Sequence, residues 1–367
     1  MQNAVESAIP GRFPDVTSRG RIDGGGLDRA ARILQEGQGR SMVTRKEVAR
    51  LAGVSEATVS HVINKSKAVS PELTERVQCV IRDTKYRPNR IAQSLVTKVG
   101  KHVAIIVEDI KNTYYSEIAE GMSEVAWKEG YIVSLIGLNY TNEEMLWDLI
   151  SRNIDGVFIT VAYDRLRRVF EEYRKAGIAL VGVDGCSVEL DYERSVDHMI
   201  KYLADLGHRK IGLLSGLPFS RVHTRYTSYV KSMRRYGLQP DASLIVEGAY
   251  PFHTEFQDGY RAMNVLLRRK TGATAVFVVN DMMALGAIKA IREAGMTVPG
   301  DISVVGCDDI FFASCVDPPL STISAPKKEI GRRAMYCLLD QIHGKPGEDI
   351  VLGTEFVVRS STGPAKK

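Results

Sequence analysis

No stretch of this 367-residue chain is apolar for long enough to cross a bilayer as a helix. The first residues carry Glu6 and Asp15 and no apolar run, so no secretion signal is expected and the reading is of a cytoplasmic protein. Cysteine is scarce: Cys79, Cys186, Cys307, Cys315 and Cys337 are scattered and odd in number. That excludes a disulfide framework and reads as reduced core or boundary thiols. No His/Cys spacing suits a metal, no G-x-G-x-x-G follows a strand, and no Walker loop is present. Neither a metal nor a cofactor is therefore expected, and no nucleophile–base pair points to an enzyme. His208-Arg209 in LGHRK, beside Asp205, reads as a structural surface turn before a strand. Gly24-Gly25-Gly26 precedes any strand and reads as linker.

What the chain does have is a short, strongly patterned basic segment. Residues 43–99 hold eleven Lys and Arg against five Asp and Glu, an excess of six against a whole-chain net charge of +5. The positive charge is therefore local, as in a module that binds a polyanion. Thr44 and Glu47 form a capping-box pattern at a helix start. Val48, Leu51 and Ala52 recur at helical spacing, and Gly53 allows a sharp turn. Ser55 suits the N-cap of a second helix. Val59, Val62 and Ile63 share one face of it, while Glu56, Ala57, Ser60, His61 and Asn64 share another. Ser70-Pro71-Glu72 opens a third helix, whose apolar stripe is Leu73, Val77, Val80 and Ile81. Spacing alone would also fit a small helical bundle; the charge favours a nucleic-acid head.

VTRKEVARLAGVSEATVSHVIN, the KYRPNRIAQSL that follows, and much of the downstream chain resemble the LacI/GalR family of bacterial transcription regulators. The resemblance covers about residues 43–360. It implies a helix-turn-helix DNA-binding head over 43–88 whose second helix enters the major groove. Glu56 and Ala57 fall on the family's two main base-reading positions. His61 falls on a third, where many members carry arginine; one imidazole nitrogen makes a single bond where arginine makes a fork. Thr44, Ser55, Thr58 and Asn64 are then phosphate clamps or caps, and Ser60 is counted with the DNA-binding face. The resemblance also implies a hinge over 89–99, with Asn89, Arg90, Ala92 and Leu95 at the DNA. Tyr86-Arg87-Pro88 ends the third helix, and the two turns after it are too short to be stable alone in water. In the family this piece folds on operator DNA and a leucine wedges into the minor groove; Leu95 holds that position.

From His102 onward the runs HVAIIV, YIVSLI, DGVFIT, IALVGV, KIGLLS, AVFVVN and ISVVGC alternate with helical stretches, the signature of βαβ units with largely parallel sheets. The size of the region suggests two lobes. The resemblance implies a periplasmic-binding-protein-like effector and dimerisation domain over 101–360. Its N-terminal lobe would take 101–190 and 309–347, its C-terminal lobe 191–308 and 349–360, and residues 361–367 would be a tail. Residues 1–41 match nothing in the family; they read as a disordered arm, and a start placed too far upstream stays open.

Ligand residues are expected after the strands, at their carboxyl ends. Tyr115 is the first choice for an aromatic platform and Tyr114 the second. Thr113 stands where the family usually has proline, which predicts a less rigid loop. Asp184, Arg225, Asn280, Asp281 and Asp308 match polar ligand positions, with Asp281 preferred among them. The bland alternative for each acid is a helix N-cap.

The fold expected is a small all-α head plus a two-lobed α/β effector domain. The function expected is a homodimeric repressor on near-palindromic operator DNA, controlled allosterically by a sugar or nucleobase-type ligand, in a bacterial cytoplasm and close to the nucleoid. Two alternatives from other classes are a solute-binding protein and a cytosolic α/β enzyme acting on a sugar or nucleotide. The first predicts an export signal and no basic head; the second needs a catalytic constellation that the sequence does not display.

Overall fold

Three short helices form one part of the described chain, and two largely parallel sheets with covering helices form the other. The computed structural model describes residues 43–64, 66–87, 99–138, 144–160, 166–182, 186–218, 223–248 and 254–366. They belong to two units, divided between Arg90 and Ile91.

In the smaller unit Thr44 is extended and its hydroxyl accepts from the Glu47 amide at 3.2 Å, starting α1 (Arg45–Ala52). Gly53 ends that helix at φ 64°, a left-handed geometry that costs other residues about 1–2 kcal/mol. Ser55 Oγ accepts from the Thr58 amide at 3.1 Å and opens α2 (Glu56–Asn64). Ser70 accepts from the Leu73 amide at 3.4 Å, with Pro71 in the first turn of α3 (Pro71–Thr84). Val48, Ala49, Ala52, Val59 and Val77 form the small core, with Val62, Ile63, Val80 and Ile81 packed against it. Arg76 of α3 donates to the carbonyls of Ala52 and Gly53 at 3.2 and 3.3 Å, which ties the third helix to the turn.

The larger unit begins with β1 (His102–Val107), α4 (Thr113–Lys128), β2 (Ile132–Gly137), α5 (Glu144–Ser151), β3 (Gly156–Ile159), α6 (Arg167–Lys175) and β4 (Ala179–Val181). A crossing strand, β5 (Val188–Asp191), leads to α7 (Glu193–Asp205), β6 (Ile211–Leu214), α8 (His223–Arg235), β7 (Ile245–Val246), α9 (Phe256–Arg268) and β8 (Ala275–Val278). Then follow α10 (Asp281–Glu293), β9 (Ser303–Asp308), α11 (Phe311–Cys315), β10 (Ser321–Ser324), α12 (Lys327–Ile342), β11 (Ile350–Gly353) and β12 (Glu355–Val357).

The first lobe is a parallel sheet of order β2-β1-β3-β4. Alternate residues of β1 serve opposite faces, as the pleat requires. Val103, Ile105 and Val107 pack with Ile118 and Met122 of α4 and with Ile330 and Leu338 of α12. Ala104 and Ile106 pack with Leu146 of α5 and with Val169, Phe170 and Tyr173 of α6. Helices α4 and α12 touch backbone to backbone: a Cβ on Gly121 would lie 2.0 Å from the Lys328 carbonyl oxygen. The second lobe is a sheet of order β12-β10-β9-β8-β6-β7, parallel except where β12 meets β10. β5 and β11 pair in parallel as a separate two-stranded ribbon.

The seven apolar runs are the strands β1, β2, β3, β4, β6, β8 and β9. Two boundaries read from the sequence need correction. Residues 309–324 do not return to the first lobe, because β10 pairs with β9 in the second sheet, Ser321 opposite Val305 through Ser324 opposite Asp308. The return begins at α12. The segment read as a tail is also built in: Ser361 Oγ donates to the Val304 carbonyl at 2.6 Å, and the Ala365 amide donates to the Leu206 carbonyl at 2.9 Å. His208 is structural, as read, but interior rather than in a surface turn. It is 1% exposed, between the Thr274 hydroxyl at 2.9 Å and the Gly363 carbonyl at 3.0 Å. Cys186, Cys307 and Cys337 are buried and all five cysteines are free. Among the described residues no helix is long and apolar enough to cross a membrane.

Candidate functional site

The head presents one polar face. Val59 of α2 is buried, whereas Glu56, Ala57 and Asn64 are exposed and Thr58, Ser60 and His61 half-exposed. Ser55 and Thr58 bond to each other at 2.9 Å, so both serve the cap. The Asn64 amide donates to Ser60 Oγ at 3.2 Å. His61 Nδ1 sits 2.9 Å from Ser66 Oγ, which steadies the ring and leaves Nε2 for an outside partner. Arg45 of α1 lies 3.6 Å from the Glu56 carboxylate, both half-exposed. Spacing within α2 gave no hint of that pairing. A base or phosphate that engages Glu56 or Arg45 must compete with it. Asn89, Arg90, Ala92 and Leu95 lie outside the described residues.

The larger unit holds a cleft of about 530 Å³ lined from both lobes. The first lobe contributes Glu108 after β1, Asn112, Tyr114 and Tyr115 at the start of α4, Thr160 after β3 and Gly182 after β4. The second lobe contributes Leu217 after β6, Thr224 and Arg225 on α8, Asn280 after β8 and Asp308 at the end of β9. Ser187, Glu189 and Tyr192 come from the crossing strand and its ends. Nearly all of these follow the carboxyl ends of parallel strands, where helix starts and loops leave polar groups unspent.

Tyr114 and Tyr115 meet edge to face, with centroids 5.2 Å apart and planes at 78°. Asn112 Oδ1 accepts from the Tyr114 amide at 3.0 Å and fixes this start of α4, while the Thr113 hydroxyl beside it is buried without a partner. Arg225 lies with its guanidinium carbon 5.1 Å from the Tyr192 ring centroid and donates to the Val279 carbonyl at 2.8 Å. Its Nε is buried and has no partner. Asp308 is 6% exposed. Burial pushes its carboxyl up to about 7, against the pull of the Arg225 and Lys327 charges and a hydrogen bond from Cys307. The cleft thus offers an ordered aromatic wall, a cation with one unused N–H, and an acid close to neutrality.

Of the expected ligand residues, Tyr114, Tyr115, Arg225, Asn280 and Asp308 line this one cleft. Asn280 does so with its amide already spent: Oδ1 accepts from the Met283 amide at 2.8 Å and Nδ2 donates to the Thr254 carbonyl at 2.9 Å. Asp281 is placed differently from the expectation. It is fully buried behind the cleft wall, accepting from Thr322 Oγ1 at 2.6 Å and from the Ile310 amide at 2.9 Å. Burial, and then the nearby Asp308, raise its carboxyl well above the usual range. It braces the end of β9, which leaves Asp308 rather than Asp281 on the cleft lining. Asp184 lies outside the described residues. Tyr192, Glu108 and Glu189 were not foreseen. Tyr192 follows VELD, a strand too short and too charged to be recognised as one. Among the described residues no group of three or more His, Cys, Asp or Glu could hold a metal.

The model of the bacterial regulatory proteins of the lacI family matches residues 44–89, and a periplasmic binding protein-like domain matches residues 200–362. The HTH-type transcriptional repressor PurR of Pasteurella multocida is 34% identical over 342 residues, spanning 87% of this chain and 98% of its own. The chain belongs to the LacI family of bacterial regulators. PurR of Mannheimia succiniciproducens is 33% identical over 335 residues, at the same coverage. Among solved structures, the lac repressor dimer bound to operator and the anti-inducer ONPF matches with a TM-score of 0.73 at 28% identity, over 88% of this chain and 99% of that one. A LacI family regulator from Enterococcus faecium with bound ribose matches with a TM-score of 0.63 at 28% identity, over 72% and 100%. The helix-turn-helix head and the two-lobed α/β unit are those of this family.

Proposed function

We propose that this chain is a homodimeric transcriptional repressor whose hold on a near-palindromic operator answers to an uncharged, hydrogen-bonding metabolite in the interlobe cleft. The observation that carries the effector half is that Asp308 and Arg225 both line the cleft from the second lobe, a hydrogen-bond acceptor and a donor on the same space. Among the described lining residues the acids Glu108, Glu189 and Asp308 outnumber the one cation, Arg225, which favours an uncharged ligand over a phosphorylated or carboxylated one. A sugar or a nucleobase fits, each carrying donors for the acids, acceptors for Arg225 and a face for Tyr115. The lobes then close or open with ligand and set the spacing of the two heads, a coupling of about 1–3 kcal/mol in typical allosteric proteins.

Binding of the heads rests on α2. Glu56, Ala57 and His61 meet base edges, the capping hydroxyls of Thr44 and Ser55 approach phosphates, and the segment carrying Leu95 folds against the minor groove. The relatives are repressors, which supports a regulator rather than an enzyme. Dimerisation is supported by exposed apolar side chains in the larger unit. Ile132 and Leu135 lie on the edge strand β2, Ile110 covers Gly137, and Phe311 and Phe312 stack edge to face at 5.6 Å.

Two measurements test this. Selection from random duplexes should yield an inverted repeat, bound with a steep salt dependence. A thermal-shift screen of neutral sugars, nucleobases and their phosphorylated counterparts should find a stabilising ligand among the neutral compounds; at about 100 times its Kd it adds about 2.7 kcal/mol. A hit confined to phosphorylated compounds would overturn the assignment of ligand class.

A further inference from the structure

Lys327 opens α12, the helix that returns to the first lobe, yet its ammonium is spent on the strand end that bears the ligand acid. Nζ donates to the Asp308 carbonyl at 2.9 Å and to the Asp309 carbonyl at 2.5 Å. Glu117 of α4 brings a carboxylate to 3.6 Å, and the lysine side chain is 6% exposed. An ammonium has three N–H donors, and three acceptors surround this one. Lys327 is also absent from the cleft lining, so it is no contact residue.

The two backbone units it holds are unusual. Asp308 has φ 110° and Asp309 φ 56°, consecutive positive-φ residues with side chains, a strained geometry that persists only where its surroundings hold it. This turn separates the neighbouring acids: Asp308 lines the cleft, while Asp309 is taken by Arg359 at 2.6 Å. The groups that face Asp308 are Arg225 from α8, Lys327 from α12, Cys307 from its own strand, Asp281 from α10, and the phenols Tyr114 and Tyr192. Only two of these are cations, and of those two only Lys327 comes from the first lobe's α12.

We propose that Lys327 is the positioning residue for the cleft acid: from the opposite lobe it fixes the positive-φ backbone that aims Asp308 and supplies a positive charge facing it. Its consequence for ligand binding rests on the effector reading of the cleft; its geometry does not. Movement of α12 with the first lobe then alters the acid directly, which links lobe closure to affinity.

The test is a carbon-13 carboxyl titration of the full chain labelled at aspartate, with the Asp308 signal identified by its loss in Asp308→Asn. Lys327→Met should move the Asp308 midpoint upward by about one pH unit, and Lys327→Arg should leave it near the unsubstituted value. Glu117→Gln leaves the ammonium unopposed and should move the midpoint downward, so the sign is decided even if Lys327→Met does not fold. An unmoved midpoint in folded Lys327→Met, or no downward move in Glu117→Gln, overturns the proposal. In parallel, thermal shifts with millimolar ribose, cellobiose and adenine are compared between the unsubstituted chain and Lys327→Met. A probe that binds should lose about tenfold in affinity in the variant. No shift by any probe in the unsubstituted chain counts against the effector reading, while the titration still decides the role of Lys327.

Discussion

The guanidinium of Arg359 donates to the Asp309 carboxylate at 2.6 Å, and this pairing holds Asp309 away while its neighbour Asp308 lines the cleft. Asp309 is neutralised where it stands. Asp308 has no ion pair within 4 Å among the described residues and is buried in the cleft wall, held by its backbone instead.

Asp308 should cost the empty protein stability. Burial places its folded-state value at about 7, above the ordinary 3.8. As pH rises from about 4 to about 7 the unfolded chain releases this proton first, so the folded state loses stability across that window and regains none above it. Asp308→Asn removes that loss. The stability of the variant relative to the unsubstituted chain should therefore rise between pH 4 and pH 8, by of order 2 kcal/mol in urea denaturation, while the effector response disappears. A difference that stays flat with pH would show that Asp308 does not titrate in this window.

Asp281 should behave in the opposite way. Asp281→Ala leaves the Thr322 hydroxyl and the Ile310 amide buried without their acceptor, each costing about 1–3 kcal/mol. The melting temperature should fall by several degrees, and ligand affinity of the folded fraction should stay within a few-fold. Normal stability with abolished ligand binding would return Asp281 to the cleft.

His208 gives an acid-sensitive latch on the C-terminal segment. Nε2 donates to the Gly363 carbonyl, and in the neutral ring that burial favours Nδ1 accepts from Thr274. Burial lowers its pKa. Its contribution is fully present above the unfolded value near 6.5 and is lost as pH falls below it toward the lowered folded value. Between pH 7 and pH 5 the loss should be of order 1 kcal/mol. His208→Gln should be less stable at pH 7 and show a shallower acid decline; equal slopes in the two proteins would rule the latch out.

At the DNA, His61→Ala should cost about 1–2 kcal/mol at one operator position and relax the base preference there. Leu95→Ala should reduce operator bending and specific affinity while ligand affinity is unchanged. An unaltered bend in gel-phasing assays would rule out the wedge.

The head was legible because its instructions are local. Thr44, Gly53, Ser55 and Ser70 each satisfy or end a helix within a few residues of themselves. The apolar strands were legible because all of them except the edge strand β2 are buried on both faces. β5, β10 and β12 were not, since VELD, STIS and EFV are short, mostly half-polar pieces. The choice between Asp281 and Asp308 was out of reach for a different reason. Both acids end an apolar run, and what separates them is a hydroxyl 41 residues from Asp281 and an amide 29 residues from it. The role of Tyr192 and the reach of Lys327 likewise depend on where distant elements come to rest.

The route of the chain through α12 bears on synthesis. The three-helix head can fold as soon as it leaves the ribosome, because its core uses only residues 43–86. The first sheet emerges next but lacks the cover supplied by Ile330, Ala334, Met335 and Leu338, which arrive about two hundred residues after β1. A growing polypeptide must carry Val103, Ile105 and Val107 covered by α4 but not by α12 while the whole second lobe is made. A premature stop anywhere before α12 should therefore leave a product that reads DNA poorly and draws chaperones or proteases.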